Sequence, residues 1–291
     1  MYLFILIFSI VLIFLFNIKK LQHFTTNNKK IAFCFLIYDK INNEEHWYKF
    51  FEKVDKKKYN IYIHFKKNKK LKYFENMKIN SLKDTNWCGP SLVKAQNLLL
   101  KEALRDKDNN HFIFISNSCL PIKSFDYIYN HLNINKSYFY ETKSHTKYFD
   151  DMIAYKSPQW CILNRKHSKL LISEDIEKLN KKIFMHFTEK GRGHVNKFSG
   201  CPDEYCYITI LNHLGERKNI IITNKDFDYA TTYRSQYDEY RNFIRSRKSG
   251  RPSNYTLICP EEIDFLKKIK SFFLRKVNDK CEGIESLKSI Y

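Results

Sequence analysis

The stretch IAFCFLIY, Ile31 to Tyr38, constrains the fold more than any other part of the chain. A strand with one wet face alternates apolar and polar residues, whereas a strand covered on both faces reads as a nearly unbroken apolar run, the habit of parallel sheets. HFIFIS, His111 to Ser116, is a second such run, and YNIYIHF, Tyr59 to Phe65, reads as another strand. Helical patterns separate them. In EEHWYKFFEKV, Trp47, Phe50, Phe51 and Val54 fall at i, i+3, i+4 and i+7, one face of a helix. SLVKAQNLLLKEAL reads as a helix with Ser91 as its cap and Leu92, Leu99 and Ala103 inward. SFDYIYNHL places Phe125, Ile128, Tyr129 and Leu132 on one face.

Strands alternating with helices imply an α/β fold with a mainly parallel sheet and right-handed crossovers. Ligands of such sheets sit beyond the carboxyl ends of the strands. Those ends are Tyr38-Asp39-Lys40, His64-Phe65-Lys66 and Ser116-Asn117-Ser118-Cys119. SYFYET, QWCILN and NIIIT add short strands, and helices start near Pro202 and Pro260. No Pro- or Gly-rich linker and no long repeat divides the chain. The expected plan is a transmembrane signal anchor over 1–18, a polar stem over 19–30, one α/β domain over 31–280 and a C-terminal tail over 281–291.

The anchor rests on MYLFILIFSIVLIFLF, apolar apart from Ser9 and closed by Asn17, Lys19 and Lys20. It has neither the basic leader nor the small-residue cleavage site of a removed signal peptide. Lys19 and Lys20 follow the span, and the positive-inside rule would hold that flank in the cytoplasm, so orientation is left open by the charges. Lys and Arg exceed Asp and Glu to give a net charge of +20. That attracts phosphates, nucleotides and other polyanions, although a chain rich in Lys, Asn, Ile, Phe and Tyr carries much of such charge as solvated surface. The eight cysteines contain no CxxC pair, so a structural zinc site is not expected. They fit disulfides and buried thiols equally. The sequons at Asn135 and Asn254 add little in an Asn-rich chain.

No P-loop, GxGxxG fingerprint, GxSxG elbow or HExxH pair is present. A nucleotide-binding α/β domain without these elements suits a nucleotide-sugar transferase. A metal for the diphosphate would need an Asp-x-Asp pair. Asp106-Lys107-Asp108 reads as a solvated turn, and Asp226-Phe227-Asp228 is the better candidate. The metal-free alternative is a fixed basic pair. FFLRKVN supplies Arg275 and Lys276, with Arg234 and the cluster Arg245, Arg247, Lys248 and Arg251 as further phosphate contacts. Two acidic helix starts, CPDEYCYITIL and CPEEIDFL, look alike locally, and capping is the ordinary reading of both. Trp87 and Trp160 read as core residues, with stacking on a sugar or base as the alternative. His64 reads as a hydrogen-bonded structural residue.

Seven segments in order carry a resemblance: IAFCFLIY, IYIHF, WCGPSLVKAQNLLLKEAL, FIFISNSCLPIKSFDYIYNHL, SPQWCILNRKHSKLL, CPDEYCYITIL and FFLRKV. Together they are similar to the core-2/I-branching β-1,6-N-acetylglucosaminyltransferase family, glycosyltransferase family 14, including its plant branch. The resemblance implies a GT-A-like, Rossmann-type domain behind a single-pass anchor, facing the lumen of the Golgi or ER. It implies inverting transfer of a sugar, N-acetylglucosamine first among candidates, from a UDP-sugar to a glycan or glycoprotein hydroxyl. No cofactor, metal or nucleic-acid partner is expected. Residue by residue, it makes Glu204 the general base and puts Lys276, with Arg275, at the donor diphosphate. A second upstream cation there is Arg251 first and Arg234 second. Glu141 and Lys147 fall to the acceptor. The chain departs from part of the family in having Cys119 where some members have Asp, as the plant branch often does, and the match is poor from Tyr229 to Tyr255.

Inverting transfer needs one carboxylate to take the acceptor proton and positive charge to stabilise the departing diphosphate. Glu204 and Lys276 fill those roles. Two other readings stay open: a metal-dependent transferase built on Asp226 and Asp228, and an inactive anchored module that binds polyanions.

Overall fold

The computed structural model describes residues 29–141, 147–149, 152–188, 200–223, 232–233 and 254–290. The apolar run at the amino terminus therefore lies outside the described residues. Among those described, no helix is long and apolar enough to cross a membrane.

In chain order the strands are β1 (Lys30–Ile37), β2 (Tyr59–Phe65), β3 (Asn109–Ser116), β4 (Leu120–Pro121), β5 (Ser137–Tyr140), β6 (Lys147–Phe149), β7 (Met152–Ala154), β8 (Ile162–Asn164), β9 (Ile220–Thr223), β10 (Thr232–Tyr233), β11 (Tyr255–Leu257), β12 (Phe273–Leu274) and β13 (Val277–Glu282). The helices are α1 (Glu44–Glu52), α2 (Pro90–Ala103), α3 (Phe125–His131), α4 (Arg165–Leu171), α5 (Glu177–Thr188), α6 (Cys206–His213) and α7 (Pro260–Lys268).

The central sheet has the order β2-β1-β3-β8-β5-β9. β1 runs parallel to β2 and β3, and β5 runs parallel to β9. β8 is antiparallel to both its neighbours. The fold is thus mixed α/β with a mainly parallel sheet. The direction of β8 was not legible in QWCILN, because an apolar run has no polarity along the chain.

The unbroken apolar character of β1 and β3 follows from two cores. Ile31, Phe33, Phe35 and Ile37 pack into one layer with Ile113, Ile115, Trp47, Phe50, Phe51 and Phe125. The intervening Ala32, Cys34 and Leu36 pack into the other with Phe112, Phe114, Val93, Leu99 and Leu100. Successive side chains leave a strand on opposite faces, so both parities must be apolar here. Trp47 centres the first layer, edge-on to Phe35 at 4.9 Å, and its indole N–H donates to Cys119 O at 2.9 Å. A buried Trp finds a partner for its one donor in this way.

Several local expectations are corrected. The cap of α2 is Gly89, not Ser91, because Pro90 already occupies the first turn. Ser91 Oγ instead accepts from Asn86 N at 2.8 Å. The helix expected from Pro202 begins as a 3₁₀ turn, Pro202–Glu204, and α6 starts after Tyr205, whose φ of −120° breaks the run. Asp106 is not merely solvated: its carboxylate accepts from Lys30 Nζ and Asn60 Nδ2, both at 2.8 Å, and ties the entries of β1, β2 and β3 together. The reading of His64 as a hydrogen-bonded structural residue holds: it is fully buried and accepts from Lys83 N at 3.0 Å, and burial draws its pKa down to about 4.

The closing segment is built into a second, small sheet, of order β10-β12-β4. β12 pairs with β4, and Ile122 N bonds to Phe272 O at 2.9 Å. The buried Lys123 ammonium caps the end of α7, donating to Leu266 O at 2.8 Å and Lys267 O at 2.7 Å. β13 continues to Glu282, and Leu287 beyond it is fully buried.

Candidate active site

The acidic turn Pro202–Glu204 is fixed from three sides. Glu204 N donates to Cys201 O, and Ser157 N donates to Glu204 O, both at 2.8 Å. Cys201 forms a disulfide with Cys88, just before α2, across a Cα–Cα distance of 4.4 Å. Gly200 precedes it, and a Cβ there would meet the Tyr205 ring at 2.7 Å and the Phe187 ring at 2.8 Å, so no larger residue fits without displacement. The disulfide closes a sequence separation of 113 residues. Loops of that order lose unfolded-state entropy worth a few kcal/mol when cross-linked. Removing it with Cys88→Ser/Cys201→Ser is expected to lower stability by about 2–5 kcal/mol. Chemical denaturation measures this, and an unchanged midpoint would show that the bridge does not hold the turn. The remaining six cysteines are free thiols, five of them buried.

The two look-alike acidic starts separate here. Glu262 Oε2 reaches back to Cys259 N at 3.2 Å, the return arm of a capping box on α7. Glu204 makes no such cap. Its Oε2 lies 3.0 Å from Lys156 Nζ, with both side chains part-exposed. Beside it, Asp203 Oδ1 is shut from solvent and has no hydrogen-bond partner among the described residues. Burial first, and the Glu204 charge second, push the Asp203 carboxyl up to about 7. That upward shift eases the repulsion between two carboxyls on adjacent residues.

Arg275 and Lys276 join β12 to β13 above the carboxyl ends of β1 and β3. Val277 N donates to Ser118 O at 2.9 Å, and Asn42 Nδ2 donates to Val277 O at 3.0 Å. Both cations act on the buried Cys119 thiol, pulling its pKa downward against the larger upward push of burial. Lys276 adopts φ 71°, in the left-handed region, while its carbonyl accepts from Tyr255 N at 2.7 Å. A non-Gly residue held there is strained, and such strain gathers at functional positions.

The acidic turn and the basic pair are joined by Lys156–Trp160. Lys156 and Ser157 hold Glu204 at one end of it. At the other, the Arg275 guanidinium lies 5.9 Å from the centre of the Trp160 ring, a cation–π contact. Gln96 Nε2 fixes the middle through Gln159 O at 3.1 Å. Lys156 is the residue that sequence reasoning missed. It stands one residue before the segment SPQWCILNRKHSKLL, and a lysine 48 positions from its carboxylate leaves no local signal.

Of the two residues expected at the acceptor, Glu141 follows β5, is buried and forms an ion pair with Arg217, whose guanidinium also lies 5.3 Å from the Tyr155 ring centre. Lys147 opens β6, paired with Ala154 of β7. Trp87 overturns its reading as a core residue, being 87% exposed beside the Cys88–Cys201 bridge. Trp160 is partly buried against the second core. Arg234, Arg251, Arg245, Arg247, Lys248, Asp226 and Asp228 lie outside the described residues. Among the described residues no group of three or more His, Cys, Asp or Glu could hold a metal ion.

Residues 31–150 match the Core-2/I-Branching enzyme family. The match runs from β1 into β6, and so covers the carboxyl ends of β1, β2 and β3, the Trp87–Cys88 loop, Glu141 and Lys147. Glu204, Lys156 and Lys276 come after it. The chain is also similar to the rice protein "Glycosyltransferase BC10" (Oryza sativa subsp. japonica), at 26% identity over 165 residues, 51% of this chain and 41% of the relative. The chain thus matches about two fifths of that relative's length. The relative is a plant protein, in line with the plant branch of the family.

Proposed function

We propose that the chain is a glycosyltransferase of GT-A-like fold that inverts at the anomeric carbon, uses a UDP-sugar and needs no metal. The observation that carries this is the Lys156–Trp160 segment, which ties one carboxylate and one cationic pair into a single unit beyond the carboxyl ends of the strands. The family match and the glycosyltransferase relative support the reaction class.

In this reading an acceptor hydroxyl attacks the anomeric carbon. Its proton passes to Glu204 as the new C–O bond forms. The bond from the anomeric carbon to the diphosphate oxygen breaks, and its electron pair leaves with UDP. Lys276 and Arg275 stabilise that charge, with Arg251 or Arg234 as the further cation. Lys156 aligns the Glu204 carboxylate, and the raised pKa of Asp203 weakens the competing charge beside it. Glu141, positioned by Arg217, and Lys147 serve the acceptor. Exposed Trp87 offers a flat face on which a sugar ring can stack. N-acetylglucosamine is the donor sugar proposed first. The apolar run over 1–18 serves as a single-pass anchor, with the domain in the Golgi or ER lumen.

A transfer assay across UDP-sugars, with and without chelator, tests this. Turnover that persists in chelator is expected. Turnover lost in chelator and restored by Mn²⁺ would replace the basic pair by a metal on Asp226 and Asp228. No turnover with any donor, together with salt-sensitive polyanion binding, would favour a binding module.

A further inference from the structure

A groove of about 480 Å³ lies between α2, the Leu82–Lys83 stretch and the α4–α5 junction, outside the residues assigned above. Its walls are apolar, from Leu82, Leu98, Ile172 and Phe184. Two amides sit in its lining, and each has its oxygen engaged from α6. Tyr207 Oη donates to Asn97 Oδ1 at 2.7 Å, and Cys206 Sγ donates to Asn180 Oδ1 at 2.8 Å. Among the described residues neither amide N–H₂ has a hydrogen-bond partner. Lys83, Lys94 and Lys101 add three cations with no carboxylate partner among the described residues. Of the other charged groups in the lining, Lys181 is paired with Glu177 at 3.0 Å, which leaves Glu174 as the one further carboxylate there. The polar lining is thus weighted toward donors and positive charge.

The geometry points to this groove as a binding site for an anionic oligosaccharide. A pyranose chain has apolar C–H faces for the leucine and phenylalanine walls. Its ring and hydroxyl oxygens accept from Asn97 and Asn180. Sulfate or carboxylate groups on it meet Lys83, Lys94 and Lys101. An extended peptide is a poorer fit, because helices line the groove and leave no strand edge to pair with. The groove also backs onto the candidate active site. Cys206 and Tyr207 open α6, two and three residues after Glu204, and α2 begins next to the Cys88–Cys201 bridge. Its occupant would then be the anionic flank of the acceptor; that last step rests on the transferase reading, whereas the binding itself does not.

Equilibrium binding of the full chain to a sulfated dextran oligosaccharide, and to neutral dextran of equal length, tests the site. A general attraction to the net positive surface is controlled by comparing Lys94→Glu/Lys101→Glu with Lys56→Glu/Lys57→Glu, exposed lysines at the entry to β2. The expected result is saturable binding of the sulfated chain alone, weakened roughly 10-fold or more by the groove pair and changed less than about two-fold by the control pair. Equal losses in both variants, equal binding of neutral dextran, or absence of saturable binding would each overturn the proposal. Polyglutamate binding as tightly as the sulfated chain would overturn the sugar as its ligand. A chain that binds here but transfers no sugar would fail the transferase reading and leave the groove site standing.

Discussion

Glu204→Gln is expected to lower the rate constant for sugar transfer by roughly 10²–10⁴-fold, the usual worth of a positioned general base. Gln keeps the length and planarity of Glu, and the bonds that shape the turn use the Glu204 backbone, so the fold should be retained. The ion pair with Lys156 is lost, but both side chains are part-exposed and its contribution to stability is small. The matched control is Glu262→Gln. That residue caps α7, and Gln can still return the cap through its amide oxygen, so the change should cost well under about 1 kcal/mol of stability and leave transfer nearly unchanged. Steady-state kinetics and thermal melts on the two variants read both effects. Near-parental transfer by a folded Glu204→Gln protein would sink the base assignment.

Lys276→Gly separates strain from chemistry at the second largest expected effect. At φ 71° a lysine sits where a Cβ is costly, and glycine is not penalised there. Relief of that strain contributes on the order of 1 kcal/mol to stability. Loss of the ammonium removes charge stabilisation at the departing diphosphate, for which about 10²–10³-fold in kcat is the ordinary scale. A variant that becomes more stable and less active is therefore expected. Lys276→Ala keeps the strain and should lose activity without the gain in stability. Unchanged donor kinetics in both would remove Lys276 from the diphosphate site. If Lys276→Gly lost stability instead, the left-handed backbone would not be the strained feature it is taken for.

The legible part of the fold came from patterns that repeat within a few residues. IAFCFLIY and HFIFIS announce strands buried on both faces, and the two cores under odd and even residues of β1 and β3 show why. Trp47, Phe50 and Phe51 share one helix face and do pack into one layer. The acidic turn, the basic pair and the strand ends were each marked on the chain as well. Their partners were not. Ser91 looked like a cap because Ser often is one, yet Pro90 had already moved the start of α2. Trp87 looked like core because Trp usually is, but a disulfided loop carries it outward.

The sequence by itself determined which faces are apolar, which elements alternate, and that two acidic turns and one basic pair exist. Tertiary structure decided how they are used. It turned Glu262 into a cap and gave Glu204 to Lys156. It chose one disulfide from eight cysteines and set Arg275 against Trp160. The reason is separation along the chain. Hydropathy period and helix-start chemistry act over one or two turns, whereas Lys156 and Glu204, or Cys88 and Cys201, meet only after strand order and crossover paths have folded distant segments onto the same sheet edge.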